Sequence, residues 1–198
     1  MPERHNAESL SPARSDAPAT VVVWDWPLRV FHWALAASVL IAWFTPNVYD
    51  AAHRIAGYTA LGLIVFRLVW GLAGTRYSRF HAHGRLLRAA PRYLWNLLRG
   101  QTGRYLGLNP AGATMAVALI VLLAISTITG WMSVTVRFFG VAWVEEAHRV
   151  SSDLALVLIV VHVLGVLLMC VLQKENLVWS MITGRKRERK NEDSRGAA

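Results

Sequence analysis

Residues 147–172 read AHRVSSDLALVLIVVHVLGVLLMCVL. The run is apolar over most of its length, and a helix needs about 20 such residues to cross the hydrocarbon of a bilayer. Three more apolar segments precede it, from about Leu28 to Phe44, Ile55 to Ala73 and Ala111 to Met132. The first is short and gains a turn from Trp24 to Pro27. Charge lies between the runs, so a chain that is 55% hydrophobic reads as a membrane protein and not as a soluble core. The fold expected is all-α, an integral membrane four-helix bundle with a basic cytoplasmic loop.

Lys and Arg set the orientation, because they gather on the cytoplasmic side of membrane helices. Arg4, Arg14 and Arg29 lie before or at the start of the first segment. Arg76, Arg79, Arg85, Arg88, Arg92, Arg99 and Arg104 separate the second from the third, and Lys174, Arg185, Lys186, Arg187, Arg189, Lys190 and Arg195 follow the fourth. The other two connections offer only Arg54, Arg137 and Arg149. Both termini and the central loop are therefore expected on the cytoplasmic face of a bacterial plasma membrane. Residues 1–20, rich in Ala, Ser, Pro and charge, read as a disordered leader with no apolar core of a signal peptide. Residues 21–184 form the bundle and 185–198 a basic disordered tail. Arg88 to Arg99, with Tyr93 and Trp95, reads either as an amphipathic helix on the membrane surface or as a basic loop that only fixes topology. The net charge of +9 is then topological, and no nucleic-acid reader motif accompanies it.

Of seven histidines, His5, His81 and His83 fall outside the apolar runs, whereas His32, His53, His148 and His162 lie in them or at their edges. A lone membrane histidine packs through a hydrogen bond about as often as it marks function. Joint placement says more. His148 and His162 are 14 residues apart, which brings them to within about 40° on one helix face, about 21 Å apart in depth. His32 begins the first helix from inside and His53 begins the second from outside, so His32 can face His162 and His53 can face His148. Two imidazoles at each of two levels suit bis-histidine haem ligation, whereas a zinc site would gather its ligands at one level. Cys170 is alone and there is no CxxCH, so two non-covalent haem b groups are expected, and Cys170 reads as a packing residue.

Gly57, one turn after His53, either leaves room for a flat macrocycle or lets helices pack closely. Arg67, 14 residues after His53, either meets a haem propionate or snorkels to the nearby interface. Arg29, one turn before His32, has a weaker claim to the same role.

WDWPLRVFHW around His32, HRIAGY from His53, FRLVWGLAGTRYSRF, LGLNPAGA, EEAH ending at His148, VHVLG around His162 and NLVWSMITGRK stand in this order across residues 21–187. In this the chain resembles the prokaryotic cytochrome b561 family, related to hydrogenase b-type cytochrome subunits. The resemblance implies a four-helix bundle with two haems b on His32, His53, His148 and His162. It also implies electron transfer between the quinone pool or a dehydrogenase and a partner on the other face. Relatives often carry His where this chain has Leu108, which bears on any quinone or partner contact there.

Three functions are separable. The first is an electron carrier, whose partners are membrane lipid, quinone and a redox protein such as a dehydrogenase or cytochrome c, and which is compatible with a homodimer. The second is a superoxide:quinone oxidoreductase, with Arg54, Arg137 and Arg149 drawing in an anion or serving only as surface residues. The third is a non-redox anchor or transporter. No residue is assigned as catalytic. With no GxGxxG and no cysteine cluster, electrons must come from partners.

Overall fold

A computed structural model describes residues 20–46, 50–73, 81–101, 105 and 107–187, with the backbone alone at 81–85 and 187. Strand β1 (Thr20–Val22) leads into α1 (Trp26–Phe44) and α2 (Asp50–Ala73). Then come α3 (His81–Leu98), α4 (Pro110–Ser133), α5 (Ala142–Gln173), the short α6 (Leu177–Thr183) and β2 (Arg185–Arg187). Helices α1, α2, α4 and α5 are long and apolar enough to cross a membrane.

Local chemistry sets the helix starts. Asp25 caps α1 by accepting from Leu28 N at 2.9 Å, and Asn109 caps α4 by accepting from Gly112 N at 2.7 Å. Pro27 and Pro110 occupy the first turns of these two helices, where a missing N–H costs nothing. Helix α5 starts five residues before the sequence expectation. Glu145, Glu146 and Arg149 look like loop residues in the sequence, yet Arg149 bridges Glu146 at 2.6 Å and Asp153 at 3.3 Å along the helix surface. At 32 residues α5 is about 48 Å long against a hydrocarbon core of about 30 Å, so its charged first turns can stand beyond the core.

Of the two readings of the central segment, the helical one holds. In α3, Ala90 and Tyr93 are buried while Leu94, Trp95 and Leu98 are exposed. Tyr93 lies edge-on to Tyr105 at 5.7 Å, and burial, with Tyr105 beside it, pushes its hydroxyl above the ordinary range. Arg99 stacks over Trp95 at 4.6 Å, the arrangement of an interfacial cation on an aromatic ring.

Packing divides the bundle into two helix pairs, α1 on α2 and α4 on α5, joined through α2 and α4, with α3 lying on α4. A central apolar layer joins Ile64, Leu123 and Ala155, with Leu35, Val39 and Ile120 around it. A second cluster, Val23, Trp24, Leu28 and Phe31, lies at the start of α1 and takes in Leu63, Leu108 and Met181. Elsewhere the apolar side chains face outward, among them Leu40, Val65, Val121, Val157, Leu164 and Leu168. Such a surface suits lipid, where apolar exposure carries no hydrophobic penalty.

Arg185–Arg187, placed by sequence at the start of the tail, is instead paired as a strand; residues 1–19 and 188–198 lie outside the described residues. Strand β2 runs antiparallel to β1, with Val21 opposite Lys186. Val23 N and Trp24 N both donate to Gly184 O, at 2.9 and 3.1 Å. Gly184 caps α6 at φ 80°, a left-handed conformation that L side chains avoid. A Cβ there would meet Trp24 O at 2.7 Å.

Candidate functional site

Helices α2 and α5 each bring a histidine to the same end of the bundle, opposite the β1–β2 clasp. His53 lies in the first turn of α2 and its Nδ1 is 2.8 Å from Ala42 O on α1. His148 lies in the second turn of α5 and its Nδ1 is 2.8 Å from Ser126 O on α4. A carbonyl oxygen can only accept, so each Nδ1 carries a proton, which is the tautomer that leaves Nε2 of a neutral imidazole its lone pair for a ligand. The ring centroids are 6.2 Å apart with planes crossed at 84°. At metal–imidazole bonds of about 2.0–2.1 Å, rings at this separation would have room for one metal ion between them.

Gly130 on α4 makes room for this. A Cβ there would stand 2.9 Å from Cε1 and 3.0 Å from Nδ1 of His148. Sequence reasoning passed over this residue, since nothing along the chain marks it as facing a histidine of another helix. Gly57, which it did single out, has nothing within 4 Å of where a Cβ would be.

At the other level, His32 on α1 and His162 on α5 are both half-buried and within electrostatic reach of one another. His32 Nδ1 is buried and has no hydrogen-bond partner, and its ring stands edge-on to Trp33 at 5.1 Å. Ala155, seven residues from both His148 and His162, carries the same helix face through the central apolar layer. Helix α5 packs chiefly on α4 rather than on α1 or α2. His53 and His148 thus meet, and His32 and His162 come within electrostatic reach, on the side of the bundle where helices are not in tight contact. Among the described residues, no group of three or more His, Cys, Asp or Glu side chains converges.

Arg67 is buried and lies within electrostatic reach of Asp25, a partner the sequence reading missed. Asp25 Oδ2 also accepts from Trp70 Nε1 at 3.3 Å. Arg29 donates through Nη1 to Thr183 O at 3.3 Å, while its Nε is buried without an acceptor. At the opposite end, Arg54 pairs with Asp50 at 3.0 Å, Arg149 with Glu146 and Asp153, and Arg137 lies over Phe138 at 5.5 Å. Leu108 packs against the Val23–Phe31 cluster, so at this position the chain has an apolar contact. Cys170 Sγ accepts from Leu177 N at 3.3 Å and so closes the turn between α5 and α6.

Residues 23–184 match the family described as prokaryotic cytochrome b561. The chain belongs to that family. Membership of the cytochrome b561 family makes it a b-type haem protein of a bacterial membrane, working in electron transfer. No curated protein and no solved structure matches the chain. The donor chemistry fits the family's cofactor: two imidazoles whose Nδ1 donates to a carbonyl, a ring spacing with room for one metal ion, and open space beside Gly57.

Proposed function

We propose that His53 and His148 ligate one haem b and His32 and His162 a second, and that the chain carries electrons across the bacterial plasma membrane. When bound, iron in the two porphyrins supplies reversible one-electron chemistry between Fe(II) and Fe(III). The chain's residues do the rest. The carbonyls of Ala42 and Ser126 hold two imidazoles in the ligating tautomer. Ile64, Leu123 and Ala155 keep the space between the levels dry. Arg29 and Arg67 supply positive charge on the His32 side, where propionates would lie. The observation that carries the reading is the crossed His53–His148 pair at 6.2 Å.

Electrons enter and leave through partners: the quinone pool or a dehydrogenase on one face and a redox protein on the other. A quinone has a candidate berth in an open cleft of about 520 Å³ lined by Trp26, Arg29, Val30, Trp33, Ala34 and Ile182. Trp33 connects that cleft to the His32 ring. The clasp face, with the basic segments around it, is the cytoplasmic one. A superoxide:quinone oxidoreductase would use the same haems. Acidic partners on Arg54 and Arg149 leave little free positive charge to draw an anion to the far face, which favours the carrier.

Purified holoprotein should hold two haems b per chain. His53→Ala and His148→Ala should each remove the same spectral component, and His32→Ala and His162→Ala the other. One haem per chain, or loss of the same component from His53→Ala and His162→Ala, would refute the pairing. Rapid reduction of the oxidised protein by superoxide would shift the assignment to the oxidoreductase.

A further inference from the structure

Besides its ring contact with His53, the His148 imidazole meets one short stretch of α4 at two points, Ser126 and Gly130. Its Nδ1 reaches Ser126 O at 2.8 Å. That carbonyl lies one turn before Gly130, and an ordinary side chain at 130 would cover the approach, since its Cβ would come within 2.9 Å of the ring. Ser126 Oγ is 2.7 Å from Ser152 Oγ, and Ser152 Oγ is 2.7 Å from the backbone carbonyl of His148. A carbonyl accepts only, so the Ser152 proton points to His148 O and the Ser126 hydroxyl donates to Ser152. Thr129 Oγ1 gives its one proton chiefly to Ile125 O at 2.7 Å and lies 3.1 Å from Ser126 O. Ser126 and Thr129 are buried, so these bonds do not exchange freely with water.

We infer that Gly130, Ser126 and Ser152 form a cradle that fixes the tautomer and plane of the His148 imidazole and thereby lowers the potential of the haem on the His53–His148 side. The inference rests on the bis-histidine reading above. An imidazole that donates Nδ1–H to a carbonyl is a more basic ligand, and a more basic axial ligand favours Fe(III) over Fe(II). Gly130 gives the ring access to the carbonyl. The serine pair ties that part of α4 to the backbone of the ligand residue itself, so ring and acceptor keep their register. These are positioning residues. A merely structural reading of the Ser126–Ser152 bond assigns it roughly 0.6 kcal/mol of helix association and no effect on iron.

The test is a redox titration of the holoprotein with electron paramagnetic resonance of the oxidised state, the two haems being identified by the histidine substitutions. Gly130→Ala improves helix propensity by about 1 kcal/mol, so it should fold; it should displace the ring, change the resonance of the His53–His148 haem alone and raise its potential. Ser152→Ala should raise the same potential, lowering the oxidised-to-reduced ratio at fixed potential several-fold, up to about tenfold or 59 mV for a one-electron couple. Ser152→Thr, which keeps the hydroxyl, should restore it. Wild-type potentials and resonances in both Gly130→Ala and Ser152→Ala would overturn the cradle while leaving the ligand assignment standing, as would equal shifts at both haems. Wild-type protein without two haems b would overturn the ligand assignment and the cradle with it.

Discussion

Asp25 meets three partners at the start of α1. Oδ1 caps the helix through Leu28 N, Oδ2 accepts from Trp70 Nε1, and the carboxylate lies within electrostatic reach of the buried Arg67. Replacing an N-cap costs about 1 kcal/mol and removing the acid opposite a buried cation up to about 3–5 kcal/mol, and the two are not additive, so Asp25→Ala should lose about 2–4 kcal/mol. Asp25→Asn keeps a good cap and loses only the charge, so it should fall between wild type and Asp25→Ala in denaturant titrations in detergent. Wild-type stability in both variants would show that the three contacts carry no weight. Asp25 and Gly130 also mark the limit of what the residue pattern can say. The placement of the four histidines at two depths is legible in the sequence, because helical spacing and the direction of each helix set it; their role as ligands is the proposal made above. The partners of Arg67 and His148 depend on which helix face turns toward which, a tertiary fact with no trace in one dimension.

The elements show the same divide. The four apolar runs became α1, α2, α4 and α5 because a continuous run of about 20 apolar residues has few alternatives. The charged first turns of α5 were hidden because pairs such as Glu146–Arg149 become visible only once the helix is assumed. For helix α3 the sequence admits two readings, since a basic amphipathic stretch resembles a loop until something packs against it; Ala90 and Tyr93 supply that contact. Its exposed Leu94, Trp95 and Leu98, beside Arg99, are the side chains that a helix at the membrane interface would present to lipid. A spin label at Leu98→Cys, in a Cys170→Ala background, should therefore collide more with dissolved oxygen than with a water-soluble nickel chelate in vesicles. The reverse ranking would place α3 in water.

For the whole molecule, the consequential contact is between segments that sequence placed at the edges of a leader and a tail. Three-residue strands leave no periodic pattern, so the β1–β2 clasp could not be read in advance. The clasp ties the start of α1 to the segment that follows α5 and α6, and α1 and α5 carry His32 and His162 without packing extensively on each other. The spacing of that histidine pair then depends on the closure of the chain through Gly184 O, which accepts from Val23 N and Trp24 N. Gly184→Ala tests this. A left-handed Ala costs about 1–2 kcal/mol, and its Cβ, 2.7 Å from Trp24 O, forces a backbone shift as well, for a total loss of about 2–3 kcal/mol. The damage should be local. Amide exchange should quicken at Val23 and Trp24 and not along the α4–α5 contact. On heating, the haem proposed for the His32–His162 side should leave before the one proposed for the other side. Loss of both haems together, with uniform exchange, would mean that the clasp adds only general stability and that the inner pair is spaced by the helices themselves.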